Sequence, residues 1–214
     1  MTFEIDWWWK FQDEINSQFQ FSKVREELAA KLVSRLNFTK SSIKSSFVGR
    51  DFVVVGAGLS ESSELPNENL IVADGALRAS LERDIIPEWI ISDLDGYIPD
   101  IVWASQNGSN VIIHAHGDNL SRVSLYSNQI KPKCITTTYP SPNTFSWGGF
   151  TDGDRSLMMC LSLECNSVRL VGFNFEEIGE FTGEYSPRKL EKLQWAKKII
   201  KECQKRTSTH LSIE

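Results

Sequence analysis

No Cys-x-x-Cys pair occurs in this chain; its four cysteines, Cys134, Cys160, Cys165 and Cys203, are scattered, two of them in apolar, helix-like surroundings. At 214 residues the chain supports a core without staples, so these thiols are expected to pack reduced, as small hydrophobes, in a reducing cytoplasmic compartment. No stretch reaches the ~20 apolar residues of a membrane span. A signal peptide is also missing: acidic Glu4 and Asp6 precede Trp7, Trp8 and Trp9, without a basic region or a sustained apolar run. Positive charge is not in excess, with 23 Lys and Arg against 28 Asp and Glu and a net charge of -5, which argues against nucleic acid as a partner. A small anionic ligand stays open, because a few cations and a divalent metal neutralise a polyphosphate locally. Histidine is scarce, at three residues. His114 and His116 have no cysteine or third histidine near them in sequence, so a zinc site is disfavoured; one is expected near phosphate and the other in packing.

What is present divides into a helical N-terminal extension over 1–50, an α/β catalytic domain over 51–206 and a C-terminal tail over 207–214. In the extension, Phe11, Ile15, Phe19 and then Val24, Leu28, Leu32 and Leu36 recur at helical spacing, with Ser22 as the expected cap of a second helix. The three tryptophans are expected to anchor the extension against the core, or against a second copy in a homodimer. From Asp51 the pattern changes to short apolar runs, each bounded by Gly, Pro, Asp or Asn and separated by crossover-length segments. Such runs fit a Rossmann-like three-layer α/β domain with a mostly parallel sheet of about six strands covered on both faces. A final helix is expected from about Ser186, as cap, to Lys205, with Pro187 in the first turn. Glycines and acids from Glu176 to Gly183 permit a lid over the site.

The polar residues at the strand ends carry the chemistry. Val53 to Val55 lead into Gly56-Ala57-Gly58, Ile71-Val72 into Ala73-Asp74-Gly75, and Ile90-Ile91 into Ser92-Asp93-Leu94-Asp95-Gly96. Ile112-Ile113 lead into His114-Ala115-His116-Gly117-Asp118-Asn119. In a parallel sheet these ends share one edge, where open α/β sheets bind ligands. Two carboxylates ~4 Å apart at an effective dielectric of about 20 repel by about 4 kcal/mol, so such a cluster requires a shared proton or a cation. Mg²⁺, which takes oxygen ligands and keeps phosphates in its shell, is the simpler resolution. Asp93 and Asp95 would point to opposite faces of a regular strand, so they converge only if the chain turns after Ser92, with Gly96 favouring the turn. The Gly56/Gly58 loop gives phosphates room, although a nicotinamide-binding module would require a small residue where Glu61 stands. The stretch Asn143 to Arg155 adds aromatic faces, Gly148 and Gly149, Thr151, Asp152 and Asp154, and the free amides of a helix starting near Asp154.

In their order, Ala73-Asp74-Gly75-Ala76, Ser92-Asp93-Leu94-Asp95-Gly96, His114 to Asn119 and Gly148 to Arg155 resemble the motifs of archaeal 6-hydroxymethyl-7,8-dihydropterin pyrophosphokinases. The resemblance implies Mg²⁺-dependent transfer of the diphosphate of ATP to a reduced pterin, releasing AMP, in folate or methanopterin biosynthesis. It implies Asp93 and Asp95 as catalytic metal ligands, with Asp74 and Asp118 in support of the metal or nucleotide. Asp118 is also a catalytic candidate as an optional general base. Gly56, Gly58, Asp74, Gly75, His116, Asn119, Gly149, Thr151, Asp152, Asp154 and Arg155 are then expected around the nucleotide, metal and pterin. Arg78, Arg155, Arg188 and Lys189 are candidate cations. Thiamine pyrophosphokinases share the first two motifs but carry a second β-rich domain for which no length remains. That reading and a non-catalytic nucleotide or NAD-binding module are the rivals.

Overall fold

The short apolar runs become strands of one parallel sheet in a computed structural model that describes residues 3–36, 43–60, 62–179 and 186–214. The strands are β1 (Asp51–Val55), β2 (Leu70–Ala73), β3 (Trp89–Ser92), β4 (Asn110–Ala115), β5 (Cys134–Thr137), β6 (Ser167–Val171) and β7 (His210–Ile213), in the order β5-β4-β3-β2-β1-β6-β7. Period-two alternation sends Phe52, Val54, Ile71, Ile91 and Ile112 to one face and Val55, Val72, Ile90, Val111 and Ile113 to the other. Both faces are apolar because both are covered. Helices α3 (Leu77–Leu81), α4 (Ile98–Gln106) and α5 (Leu120–Ile130) pack on one side; α1 (Trp8–Phe19), α6 (Asp152–Ser162) and α7 (Pro187–Arg206) pack on the other. This is the three-layer architecture expected. All four cysteines are free and buried. Among the described residues no helix is long and apolar enough to cross a membrane.

Two sequence expectations require correction. The segment after residue 206 is more than a tail: Ser167↔His210 through Leu170↔Ile213 pair in parallel, making a seventh strand where about six were expected. Its four-residue, half-exposed pattern is too short to stand out in a sequence. Helix α2 (Lys23–Val33), capped by Ser22 Oγ accepting from Arg25 N, also turns a different face inward. Val24, Leu28 and Leu32 are 74%, 52% and 42% exposed, while Glu26, Ala29, Ala30 and Val33 are buried. The alanines let the helix approach β4 and β5 closely, and Glu26 is drawn inward by two hydrogen bonds from the β4 and β5 loops.

Strand order reverses between β1 and β6, the switch point where an open α/β sheet leaves a crevice. Here that crevice is closed. The N–H groups of Gly56 and Gly58 donate to the Val171 and Gly172 carbonyls. A Cβ at Gly56 would lie 2.7 Å from Gly172 O, and one at Gly58 2.8 Å from Asn174 N. The two glycines therefore serve the interlocking of two loops. Of the expected lid, residues 180–185 lie outside the described residues.

Candidate active site

The ligand space lies further along the same edge, above β3 and β4. The register Ala73↔Ile91, Ser92↔Ile113 and His114↔Thr136 sets the ends of β2, β3, β4 and β5 side by side. Asp74 thereby falls beside Ser92, whose Oγ donates to Asp74 Oδ2 at 2.5 Å, and Gly96 N donates to the same oxygen at 3.1 Å. A Cβ on Gly96 would sit 2.1 Å from Asp74 Oδ1, so only glycine fits there. Asp93 and Asp95 converge because the chain reverses at Leu94, which takes the left-handed conformation at φ 64°. A leucine with positive φ is costly, and here it is held by burial of its side chain and by Leu94 N donating to Ser92 Oγ at 2.7 Å. The turn expected after Ser92 is thus made at Leu94, with Gly96 reserved for the approach of Asp74.

One carboxylate oxygen from each of Asp74, Asp93 and Asp95 lies within 4.8 Å of the others. Their protonation reflects this crowding. Burial, opposed by the Ser92 hydrogen bond and reinforced by Asp93, pushes Asp74 up to about 6. Asp95 is pushed up to about 7 by burial of its carboxyl against the cluster and by the charge of Asp93, although the residue as a whole is exposed at the rim. Burial opposes ionisation of Asp93 too, but the approach of His116, a hydrogen bond from Asp95 and the charge of Arg155 hold it well below the usual carboxylate range. Asp93 is the ionised member of the set, with a proton shared toward Asp95. Three hard oxygen donors without sulfur or imidazole suit an Mg²⁺-type cation, which would displace that proton if bound.

Around this cluster lies a cavity of about 390 Å³ whose cations are Arg122, Arg155, Arg188 and Lys192. Arg155 is buried, its guanidinium donating to the Gly149 and Phe150 carbonyls at 3.0 and 3.1 Å. A Cβ on Gly149, at φ 92°, would lie 2.4 Å from Arg155 Cα, so this glycine lets the loop fold over the arginine. Arg188 lies over the Phe19 and Phe21 rings, and Lys192 over Phe150. His116 brings Nε2 to 3.8 Å from Asp93 Oδ2 while its Nδ1 accepts from Asp118 N at 3.3 Å, so the ring directs Nε2–H toward Asp93. His114 is buried against Thr136 Oγ1 at 3.0 Å, and burial followed by the Arg155 charge keeps it neutral.

The other expected site residues are distributed unevenly. Asn119 is buried and ties the loops together, donating to the Asp93 and His114 carbonyls and accepting from His116 N. Asp118 reaches the cavity wall but pairs with Arg25 at 2.9 Å, outside the three-carboxylate group. Asp154 is turned inward to accept from Phe150 N, Thr151 N and Thr151 Oγ1, so it and Thr151 shape the start of α6. The Asp152 carboxyl is buried behind Arg155 and raised well above its usual range by burial and the Asp93 charge. Gly56, Gly58 and Gly75 do not line the cavity. Of the candidate cations, Arg155 and Arg188 do, whereas Arg78 pairs with Asp100 and Lys189 is not in the wall. Sequence reasoning missed Arg122 and Lys192, and it missed Gln12, Asn16 and Glu26, which the N-terminal helices bring to the cavity. No local signal marks them, because each lies on a helix that carries several other polar residues.

Comparison with known proteins identifies the family. Residues 26–180 match the family model described as 6-hydroxymethylpterin diphosphokinase MptE-like. A 6-hydroxymethyl-7,8-dihydropterin pyrophosphokinase of Methanothermobacter thermautotrophicus is 31% identical, over 92% of this chain and 94% of its own length. Proteins of the same name from Methanocaldococcus jannaschii and Pyrococcus furiosus are 31% and 29% identical, over 90% of this chain and 92% and 91% of theirs. The chain belongs to the 6-hydroxymethylpterin diphosphokinase MptE-like family.

Proposed function

We propose that this chain transfers the β,γ-diphosphate of ATP to the hydroxymethyl group of 6-hydroxymethyl-7,8-dihydropterin, with Mg²⁺ held by Asp93 and Asp95 and supported by Asp74. A bond forms between the pterin hydroxyl oxygen and the β-phosphorus; the bond from that phosphorus to the α-bridging oxygen breaks, AMP leaves, and the hydroxyl proton is released. The observation that carries the reading is the pair Asp93 and Asp95, backed by the buried Asp74, opening onto a cavity that also holds four cations. Phosphoryl transfer is catalysed mainly by positioning and charge stabilisation, and this wall supplies both. Arg155, fixed by two carbonyls, is a pre-oriented counter-charge for phosphate oxygens. Arg188 and Lys192, on the first turns of α7, also line the cavity, and Arg122 is held near Asp95 by donating to Leu94 O at 3.3 Å. His116 presents an N–H toward Asp93 and keeps its charge localised. When bound, Mg²⁺ would supply positive charge that offsets the negative charge of the polyphosphate.

Incubation of the protein with ATP, Mg²⁺ and the reduced hydroxymethylpterin is expected to give AMP and the pterin diphosphate in equal amounts. Formation of ADP, or of AMP only with thiamine, refutes the proposal.

A further inference from the structure

The cavity wall facing the carboxylate cluster is built by the N-terminal helices: Gln12 and Asn16 from α1, Phe21 from the turn, and Glu26 from α2. Glu26 is a buried carboxylate held by two neutral donors, Gly117 N to Oε1 at 3.0 Å and Thr138 Oγ1 to Oε2 at 2.9 Å. Among the described residues it has no ion-pair partner. It sits in the first turn of α2. A carboxylate offers about four acceptor positions, so about two stay open toward the cavity. Beside it, Gln12 Nε2 donates to Asn16 Oδ1 and Asn16 Nδ2 donates to the Tyr139 hydroxyl, which leaves the Gln12 carbonyl oxygen without a donor among the described residues. The rings of Phe21 and Phe150, 6.2 Å apart, flank the space.

The geometry points to Glu26 as the residue that selects the acceptor ring, by accepting hydrogen bonds from two adjacent ring donors; this rests on the diphosphate-transfer reading above. An acceptor-only group matches a 2-amino-4-oxo heterocycle, whose N3–H and 2-amino group form one donor edge. Adenine and an aminopyrimidine of the thiamine type instead place a ring nitrogen lone pair beside their amino group. That lone pair would face the carboxylate with no proton between them, leaving both groups unpaired. Glu26 therefore favours the pterin at this wall over both the nucleotide base and the thiamine-type rival.

The test is Glu26→Gln, whose amide still reaches Gly117 and Thr138 but sets an N–H against a ring donor. Pterin fluorescence titration and steady-state assay should show Kd and KM for 6-hydroxymethyl-7,8-dihydropterin raised roughly 10- to 100-fold. KM for ATP and the melting temperature should stay near the wild-type values. A second measurement needs no variant: an N3-methylated hydroxymethylpterin should bind wild type at least roughly 10-fold more weakly than its parent, a difference that E26Q should lose. Unchanged pterin affinity in E26Q, equal affinity of wild type for the two pterins, or a selective rise in KM for ATP overturns the assignment. A wild-type protein that neither binds nor converts the pterin refutes the parent reading instead.

Discussion

Replacing Asp74 by asparagine should stabilise the metal-free protein, and do so increasingly as pH rises. Asp74 is buried, and folding raises it from 3.8 to about 6. Between those values the native state keeps a proton that the unfolded chain has already lost, so the unfolded state is favoured progressively as pH increases. The contribution is absent below about pH 4 and complete above about pH 7. Two pH units at ~1.4 kcal/mol each give about 3 kcal/mol. The amide introduced by Asp74→Asn would keep an oxygen for Ser92 Oγ and Gly96 N, so the hydrogen bonds that position the side chain survive. His114, whose folded value is lowered, gives stability that rises with pH up to its unfolded value, but it does so equally in both proteins. Urea unfolding followed by tryptophan fluorescence in EDTA, from about pH 4 to about pH 8, measures the difference directly. The variant should gain about 3 kcal/mol on wild type across that range. A difference that stays flat, or that moves toward wild type, would show that no buried charge is frustrated at this position and would remove the physical reason for a cation.

The same cluster yields three further expectations. Saturating Mg²⁺ at about pH 8 should stabilise wild type by about 2.7 kcal/mol when present at ~100 times its dissociation constant, and differential scanning calorimetry should find no such shift in Asp93→Asn. Asp93→Asn and Asp95→Asn should each lower kcat at least roughly 100-fold, while circular dichroism melting shows that they fold normally; wild-type turnover in both would remove the metal site. Gly96→Ala, whose methyl would meet Asp74 Oδ1, should weaken Mn²⁺ binding about 10-fold or more in isothermal titration, through displacement of a residue that supports the ligands.

The sheet was readable because its signal is local: runs such as Val53 to Val55 in β1 and Val111 to Ile113 in β4 are continuously apolar only when both faces are covered. The acidic rim was readable for the same reason, since parallel strands bring Asp74, Asp93 and His114 to one edge whatever the strand order. What escaped depended on distances that no local pattern encodes. Gly56 and Gly58 look like a phosphate loop, yet their N–H groups are taken by β6 and the loop after it, more than a hundred positions away. Asp154 looks like a ligand and is consumed within its own turn by three donors from Phe150 and Thr151. The inward face of α2 was misjudged because leucine and valine normally mark the core, whereas here two alanines and a hydrogen-bonded glutamate pack inward.

The closed switch point explains why the N-terminal helices matter. With the crevice between β1 and β6 filled by glycine loops, the cavity lies above β3 and β4, where the sheet provides one wall and the acidic ends of two strands. An acidic rim alone would repel a polyphosphate, so the opposing wall must bring cations and a surface that grips the acceptor. Helix α7 brings Arg188 and Lys192, but Arg188 is braced on Phe19 and Phe21, which belong to the N-terminal extension. The extension is also part of the core, with Trp8, Ile15 and Phe19 buried. Its removal would therefore expose apolar surface as well as dismantle the site, and loss of activity on truncation would be uninformative. Substitutions of side chains that face the cavity without joining the core, such as Glu26→Gln, separate the two contributions, because they leave Ile15 and Phe19 in place while changing what the wall presents to a ligand.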